Sequence, residues 1–416
     1  MVSWSPVSLA EVDLRIEGGI VVEVGPNLPA GNSEIIEVGG AILMPGMING
    51  HTHLYSALAL GMPAPPVENF MEALNLMWWP LDRALDERSV YMSAKAGTAS
   101  ALLCGTTTLI DHHASPSFIG GSLSAIANGI REVGARGVVA YEVTDRNGVE
   151  GAEAGLAECE RVLGQQERGL VRGMLGLHAS FTVSDTTLRR ISEVDAPVHV
   201  HVAEGEVDQL DAVRRGYGSV MERLDNNGVL RSDTIVAHGV HLSDKEVGIA
   251  NDRGCWFVHN PTSNRNNRVG YAKPSRFGLR CGVGTDGIGS DMFAAARDLF
   301  FEGRKEHHDV DVAAFLAGNG DMASSLLGVS LGRLEVGCQA DIVQLSYDPA
   351  TNIGDANLIG HLLFGFSSAD VKNVWVHGEQ VVENGRLLTV DHESLMAESR
   401  EVASELWERY KSELEG

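Results

Sequence analysis

Eight short apolar segments, most of them separated by segments of helical pattern, constrain the fold of this chain more than any other feature. The apolar segments are residues 48–53, 107–112, 138–142, 174–178, 198–201, 234–238, 255–259 and 281–286. Several of the intervening segments, such as 89–103, 121–133, 151–163 and 186–194, space leucine, alanine and glutamate as amphipathic helices do. Eight strand–helix units in succession predict a closed parallel (β/α)₈ barrel.

Each predicted strand ends in a residue that can titrate or bind a metal. The residues at or just after these ends are His51, His53, Asp111, His112, His113, Glu142, His178, His201, Glu204, His238, His259 and Asp286. A single histidine at a strand end is usually a buried structural residue. In a barrel, however, the carboxyl ends of all the strands converge on the face where active sites are built. The agreement of eight strands therefore predicts a functional site there.

Four of these residues form a plausible metal-ligand set. His51 and His53 stand two residues apart on one strand, so their side chains project to the same face. His201 and Asp286 would complete three nitrogens and one oxygen, which leaves room for a water on a catalytic zinc, iron or manganese ion. Glu204, just beyond His201, is placed to act as general acid and base, and His238 to orient the attacking water. Taken alone, Glu204 could be a helix N-terminal carboxylate and His238 a structural histidine.

Composition narrows the function classes. The chain has 416 residues, a formal charge of −24 and five scattered cysteines without a C-x-x-C pair. Nucleic acid and anionic membranes need a cationic face, so neither is expected as a partner. The chain has no window of about 18 apolar residues and no secretory pattern near Met1, so a cytoplasmic protein with reduced cysteines is expected.

The two ends of the chain share a β-rich composition. Short β-type runs at 12–16, 20–24 and 35–38 are matched by runs at 340–345, 371–376 and 380–382. Both ends are therefore expected to build one small β-sandwich domain from residues 1–47 and 330–392, with the barrel, 48–329, inserted between them. Residues 393–416 carry apolar side chains at helical spacing and predict an amphipathic helix that packs on the body or on a neighbouring subunit.

Two further patterns are ambiguous. Residues 282–287 formally satisfy the dinucleotide pattern G-x-G-x-x-G, but Asp286 inside it would oppose a pyrophosphate, so dinucleotide binding is not expected. The pair Trp78-Trp79 lies in the long segment after the first strand. It is expected to serve in packing, or alternatively to cover a substrate pocket.

Together these motifs resemble the amidohydrolase superfamily. The likeness rests on Pro45-Gly46-Met47-Ile48-Asn49-Gly50-His51-Thr52-His53, His201 with Glu204, Ala237-His238-Gly239, His259-Asn260-Pro261 with Ser263-Asn264, and Gly284-Thr285-Asp286. Their order is similar to the cytosine deaminase and chlorohydrolase branch. Asp111-His112-His113-Ala114-Ser115-Pro116 further resembles the SsnA-type aminohydrolases. The likeness covers almost the whole chain.

The resemblance implies a barrel with a β-sandwich from both termini, and one divalent metal ion, with zinc first and iron or manganese as alternatives. It implies ligands at His51, His53, His201 and Asp286, with Glu204, His238 and Asp286 in catalysis. The fourth strand carries no lysine that could bridge two metals, which predicts a mononuclear site. Family habit suggests a homodimer.

The expected reaction is hydrolytic deamination of a small amino-substituted N-heterocycle by a metal-activated hydroxide. The candidates for substrate contact are His112, His113, Glu142, His178 and Asn260. Hydrolysis of another C–N bond or of a C–halide bond at the same site is an alternative. A second alternative, of a different class, is a catalytically silent barrel that binds a metal or ligand in metalloenzyme maturation.

Overall fold

The computed structural model describes residues 1–165 and 169–415. In chain order the strands are β1 Val2–Trp4, β2 Val7–Leu9, β3 Asp13–Glu17, β4 Ile20–Gly25, β5 Ile42–Pro45, β6 Met47–Thr52, β7 Thr106–His113, β8 Arg136–Val143, β9 Val171–Ala179, β10 Val198–Val202, β11 Ile235–His238, β12 Trp256–His259, β13 Cys281–Val283, β14 Ile342–Leu345, β15 Val371–Val376, β16 Glu379–Glu383 and β17 Arg386–Leu387.

The α-helices are α1 Phe70–Ala73, α2 Trp79–Ala84, α3 Glu87–Leu103, α4 Ser122–Val133, α5 Gly148–Gly164, α6 Asp185–Ser192, α7 Val207–Arg214, α8 Val220–Asn226, α9 Asp244–Asp252, α10 Pro261–Asn266, α11 Met292–Lys305, α12 Val312–Leu327, α13 Leu358–Phe364 and α14 His392–Glu415. A π-helical segment, Leu74–Trp78, joins α1 to α2, and short 3₁₀ turns include Leu54–Ala59, Asp145–Asn147 and Ser180–Thr182.

Strands β6 to β13 form a parallel sheet in sequential order. The first and last strands meet beyond β13, where the backbone N–H groups of Thr285 and Asp286 donate to the carbonyl of His51. A parallel bridge between Thr52 and Asp286 adds to this contact. The (β/α)₈ fold predicted from the sequence is therefore confirmed, and its closure brings Asp286 beside the His51-Thr52-His53 strand end.

The barrel interior is filled by apolar side chains at the end opposite the histidines. Ile48, Ile110 and Trp256 pack there against Met322 and Leu327 of α12. This helix covers the amino ends of the strands, because ten of its residues are buried and its apolar face points into the barrel. The opposite, carboxyl-terminal face remains free to hold polar side chains.

Both chain ends contribute to a separate antiparallel sheet, as expected. Its order is β17-β16-β15-β14-β5, so one strand comes from the N-terminal segment and four from the C-terminal segment. The hairpin of β3 and β4 packs on it through Val21, Ile342 and Trp375. The exact boundaries at residues 47/48 and 329/330 stay a prediction.

The strand predicted at residues 35–38 is wrong. In the structure these residues are irregular, and Ile35 and Ile36 are 61% and 56% exposed. Their β-branched side chains fit a strand by propensity, but in the described structure the segment pairs with no strand, and tertiary context overrides propensity. The hairpin of β1 and β2 was not expected from the sequence.

The C-terminal helix α14 packs on its own chain. Its buried face, which includes Leu395, Val402 and Leu406, lies against α2, α3 and the turn after β6. The Trp407 indole donates to the carbonyl of Leu58, and the Tyr410 hydroxyl donates to that of Leu76. Residue 416, the last of the predicted helix, lies outside the described residues. Among the described residues, none of the helices is both long and apolar enough to span a membrane.

Candidate active site and metal centre

Four side chains converge at the carboxyl ends of the barrel strands. His51 and His53 come from β6, His201 from β10, and Asp286 from the turn after β13, and one ligand atom of each lies within 4.8 Å of the others. Asp286 Oδ1 is 2.9 Å from His53 Nε2 and 3.4 Å from His51 Nε2. The structure thus brings together all four residues that the sequence suggested as ligands.

The hydrogen bonds behind the histidines fix which ring nitrogen faces the cluster. His53 Nδ1 donates to the carbonyl of His112 at 2.5 Å, and His201 Nδ1 donates to that of His178 at 2.8 Å. Their Nε2 atoms therefore present lone pairs, yet these two atoms are only 3.2 Å apart. Two lone pairs and a carboxylate at such distances repel one another unless a proton or a metal cation lies between them.

His51 completes this arrangement. Its Nε2 atom is buried without a hydrogen-bond partner among the described residues, while its Nδ1 atom lies 2.7 Å from His199 Nε2. Burial lowers the pKa of His51 to about 3, so the ring is neutral, as a metal ligand must be. Three imidazoles and one carboxylate fit a divalent cation with a free position for water.

Asp286 is held as a carboxylate. Burial opposes its ionisation, but the close contacts with the His51 and His53 rings keep the pKa of Asp286 well below its ordinary value. Its second oxygen accepts a 2.5 Å hydrogen bond from the Ser263 hydroxyl. Its φ of +57° is rare for a residue with a side chain and shows that the surrounding structure forces this geometry.

Glu204 and His238 lie beside the cluster. Glu204 Oε2 is 3.7 Å from His238 Nε2, and Glu204 Oε1 accepts a hydrogen bond from the Asn267 amide at 3.0 Å. Burial raises the pKa of Glu204, so this carboxyl group holds a proton more readily than an exposed glutamate does. His238 also has a positive φ, +74°, and its Nδ1 is 2.8 Å from Asn264 Oδ1.

A cavity of about 620 Å³, including its opening to solvent, lies directly over the cluster. His53, His201, Glu204 and Asp286 form its floor. Its walls include Tyr55, Phe70, Leu74, Trp78, Trp79, Asp82, Glu142, His178, Phe181 and Asn267. The Trp78-Trp79 pair therefore covers the pocket, which was the alternative to pure packing.

Three of the expected substrate contacts do not reach this cavity. His112 and His113 are fully buried, and their Nε2 atoms lie 3.1 Å from the His199 carbonyl and 2.8 Å from the Ser115 hydroxyl. Asn260 is also fully buried, with its amide 3.4 Å from His238 Nδ1. They sit below or outside the layer that faces the cavity, so they support the site rather than line it. Glu142 and His178 do line it.

Sequence reasoning missed several cavity residues. Asp82, Phe181 and Asn267 line the cavity from segments that follow strand ends, and Arg146 on another such segment lies 3.5 Å from Asp82. Arg146, for example, donates to Glu142 four residues before it at 2.8 Å. The position of these residues in βα loops was the available signal, but loop conformation decides which of them turn inward.

Comparison with known proteins shows the family of this chain. The profile of the Amidohydrolase family matches residues 42–381. The chain is 32% identical over 391 residues to the 5'-deoxyadenosine deaminase of Methanopyrus kandleri, with 88% of this chain and 86% of that protein covered. It is 30% identical over 427 residues to the 5-methylthioadenosine/S-adenosylhomocysteine deaminase 2 of Archaeoglobus fulgidus, with 95% of each covered.

Solved structures share the fold. An adenosine deaminase from Xanthomonas campestris, solved with bound zinc, superposes with a TM-score of 0.86 at 23% identity, covering 97% of this chain and 96% of that one. The atrazine chlorohydrolase TrzN from Arthrobacter aurescens, complexed with zinc, gives 0.80 at 22% identity, with 95% and 96% covered. The narrower likeness to SsnA-type proteins stays a prediction. The chain belongs to the amidohydrolase family and is a metal-dependent hydrolase that acts on carbon–nitrogen bonds other than peptide bonds.

Proposed function

We propose that the protein is a zinc-dependent aminohydrolase that deaminates a purine amine, with adenine nucleosides as the first candidate substrates. Hydrolytic deamination of an amino-substituted N-heterocycle is its reaction class. The observation that carries the proposal is the placement of Glu204, His238 and Asp286 around one point on the floor of an aromatic-walled cavity. The names of the curated relatives, which are deaminases of adenine nucleosides, support this substrate class.

The ligand set would hold the metal through His51, His53, His201 and Asp286. A zinc ion bound there lowers the pKa of a coordinated water toward neutrality, which supplies the nucleophile. Zinc suits three imidazoles and a carboxylate, and it stands in two of the structures with the same fold.

Glu204 is the proton carrier in this proposal. Its carboxyl group lies at the cavity floor, where it can take a proton from the attacking water and deliver it to the ring nitrogen next to the amine-bearing carbon. The Asn267 amide holds Oε1, which leaves Oε2 facing His238 and the reaction centre. The same carboxyl group can then protonate the departing ammonia.

In this proposal His238 and Asp286 orient the attacking water, whose proton Glu204 takes. His238 Nε2 is buried and has no hydrogen-bond partner among the described residues, so it is available to the attacking water. Asp286 Oδ2 is held by Ser263, which keeps the carboxylate plane fixed during the reaction.

The walls suit a planar ring. Phe70, Trp78, Trp79 and Phe181 line the cavity and offer aromatic faces and edges against which a heterocycle can stack. Trp79 is itself braced by the Arg146 guanidinium, 4.8 Å from its ring centroid. An aromatic slot over a proton carrier is what deamination of a purine requires.

The charges along the wall disfavour a phosphorylated substrate. Asp82 and Glu142 are both buried there and share the single guanidinium of Arg146, at 3.5 and 2.8 Å. Burial raises the pKa of Asp82 to about 7, and its Oδ1 has no hydrogen-bond partner among the described residues. A substrate that donates hydrogen bonds, such as a hydroxylated sugar, satisfies this oxygen, whereas a phosphate would be repelled.

The test is ammonia release from zinc-loaded protein with adenosine, 5'-deoxyadenosine, 5-methylthioadenosine, free aminopurines and aminopyrimidines. Glu204→Gln should lower kcat about 10²–10⁴-fold, the usual contribution of a general acid–base group, while zinc stoichiometry and Tm stay unchanged. Glu206→Gln, an exposed neighbour, is the matched control and should retain full activity. Full turnover by Glu204→Gln, or no ammonia from any of these heterocycles, would refute the proposal.

A homodimer and a cytoplasmic location remain predictions. Sedimentation of the purified chain would measure the first, and fractionation of cells that express it would measure the second.

A further inference from the structure

Behind His238 lies a row of buried polar groups that the proposed reaction does not use. It runs from His238 at the end of β11, through Asn264 on α10 and His259 at the end of β12, to Glu302 on α11. His238, Asn264 and His259 are at most 1% exposed and Glu302 is 8% exposed. The row therefore connects the active site to an outer helix through the protein interior.

The distances define a chain of contacts. His238 Nδ1 is 2.8 Å from Asn264 Oδ1, and Asn264 Nδ2 is 3.4 Å from His259 Nδ1. His259 Nε2 is 3.4 Å from Glu302 Oε2, and neither of these two buried atoms has a hydrogen-bond partner elsewhere among the described residues. The last two contacts are longer than strong hydrogen bonds.

The Glu302 carboxylate determines which group donates in each contact of this row. A carboxylate only accepts hydrogen bonds, so the His259 nitrogen that faces Glu302 must carry the hydrogen. Burial lowers the pKa of His259, so the ring is neutral and its other nitrogen, Nδ1, is an acceptor. Asn264 must then donate through its NH₂ group to His259, which leaves its oxygen to accept from His238. His238 consequently carries its hydrogen on Nδ1.

We propose that Glu302, His259 and Asn264 are positioning residues that hold His238 in its Nδ1–H tautomer, so that the bare Nε2 atom faces Glu204 and the reaction centre. The inference rests on the proposed role of His238 in the reaction. Without the carboxylate, the amide of Asn264 could turn over, because it offers a donor on one side and an acceptor on the other. The reversed row of hydrogen bonds would put the hydrogen on His238 Nε2, which then could not accept a hydrogen bond from the attacking water.

Asn260 does not determine the tautomer. Its amide nitrogen lies 3.4 Å from His238 Nδ1, while its Oδ1 atom is buried without a partner among the described residues. Turning this amide over would satisfy Oδ1 with the same Nδ1–H group. The shorter contact, to Asn264, and the charge at the end of the row therefore set the direction.

The experiment compares ring tautomers in protein that contains ¹⁵N-labelled histidine and bound zinc, without substrate. His238 is assigned from the signals lost in His238→Gln, and its two ring nitrogens are classified as protonated or bare. The native protein should show a protonated Nδ1 and a bare Nε2. Glu302→Gln should show a mixture of the two tautomers, because a neutral amide at the end of the row can donate as well as accept.

Turnover should follow the tautomer. Glu302→Gln is expected to lower kcat about tenfold or more while KM changes less than twofold, because the lost function acts in the reaction and not in substrate binding. The double variant Asn264→Asp with Glu302→Gln should regain the Nδ1–H tautomer and most of kcat. In that protein a carboxylate accepts directly from His238, and the amide at position 302 can donate to His259.

Glu158→Gln is the matched control. Glu158 is also a buried carboxylate, 3% exposed, but it lies on α5 and accepts from the Leu123 backbone and from Arg161. It should leave the His238 spectrum and kcat unchanged, whatever it does to Tm. A loss of stability in Glu302→Gln without a tautomer change would show that Glu302 is merely structural.

The outcomes separate this inference from the proposed reaction. A native His238 that is protonated on Nε2, or a Glu302→Gln protein with unchanged tautomer and kcat, overturns the positioning role even if the enzyme deaminates nucleosides. The expected spectra with no ammonia from any heterocycle would instead overturn the reaction and leave the tautomer assignment standing.

Discussion

At the scale of single residues, the site combines one tightly packed backbone position with a set of buried charges. Gly284 precedes Thr285-Asp286 and lies against the His51 strand. A methyl group on Gly284 would come within 2.5 Å of Asn260 Oδ1 and 2.7 Å of the His51 carbonyl. A side chain at this position would therefore separate β6 from the turn that carries Asp286.

Gly284→Ala should destabilise the protein by about 1–3 kcal/mol or more, the usual cost of overpacking, and should weaken zinc binding because two ligands move apart. Gly248→Ala on α9 is the control, since a methyl group there meets nothing within 4 Å. It should be neutral or stabilise the helix by about 0.5–1 kcal/mol. Urea unfolding and metal analysis check both variants. Equal stability of the two would contradict the packing described here.

Asp82→Asn tests the charge on the cavity wall. Removing one of the two carboxylates that share Arg146 should raise KM for adenosine several-fold and narrow the preference for adenosine over its 5'-monophosphate, because the phosphate then meets less negative charge. Asp252 is exposed at the end of α9, so Asp252→Asn should change neither KM for adenosine nor the preference for adenosine over its 5'-monophosphate. An unchanged preference in Asp82→Asn would show that phosphate is not excluded by this wall.

The cluster of His51, His53, His201 and Asp286 could be predicted because strand period and barrel closure leave little choice of direction. His51 and His53 share a face, and every strand end meets the same rim. The sequence could not predict which of the side chains at the strand ends reach the cavity. His112 and His113 are adjacent and face opposite sides of β7, and whether an inward side chain reaches the cavity or stops one layer below depends on packing against His199 and His201.

At the scale of elements, the barrel strands lie within a few residues of their predicted positions, because apolar runs between polar ends are distinctive. The short terminal strands were less predictable. Residues 35–38 have the same composition as a strand but no partner, whereas β1 and β2 form a hairpin although each has only three residues. Strand pairing is a property of two segments, and composition describes only one.

Helix α14 packs on the outer side of α2, which carries the cavity residue Trp79. Because Leu406 is fully buried under α2 and α3, Leu406→Ala should cost about 2–5 kcal/mol, the range for a large side chain removed from a core. Leu414→Ala, on a side chain that is 38% exposed, is the control and should cost less than about 1 kcal/mol. Differential scanning calorimetry measures both. A Tm for Leu406→Ala equal to that of the control would mean that α14 does not stabilise the body.

At the scale of the whole molecule, the metal site joins the first and last strands of the barrel. His51 and His53 lie on β6, Asp286 follows β13, and His201 stands on the opposite side. A cation bound by all four residues connects the junction between the first and last barrel strands to β10 on the opposite side of the barrel. Metal binding is therefore expected to stabilise the entire fold and not only the site.

Removal of the metal with a chelator should lower Tm by several degrees, and zinc should restore it. At a free zinc concentration 100 times Kd, the expected stabilisation is about 2.7 kcal/mol. His201→Gln should lose most of this response, whereas His392→Gln, exposed at the start of α14, should keep it. A zinc response of equal size in His201→Gln would show that the ion binds elsewhere.

The five-stranded sheet also has a consequence for biosynthesis. Strand β5 pairs with β14, and in the described structure no other strand borders it. About 300 residues separate the two, so at roughly 5–20 residues per second β5 waits about 15–60 s on the ribosome before its partner has been made. During that time Ile42, Leu43 and Met44 lack their β14 partner, and an unpaired β-type segment of this kind is a natural target for chaperones.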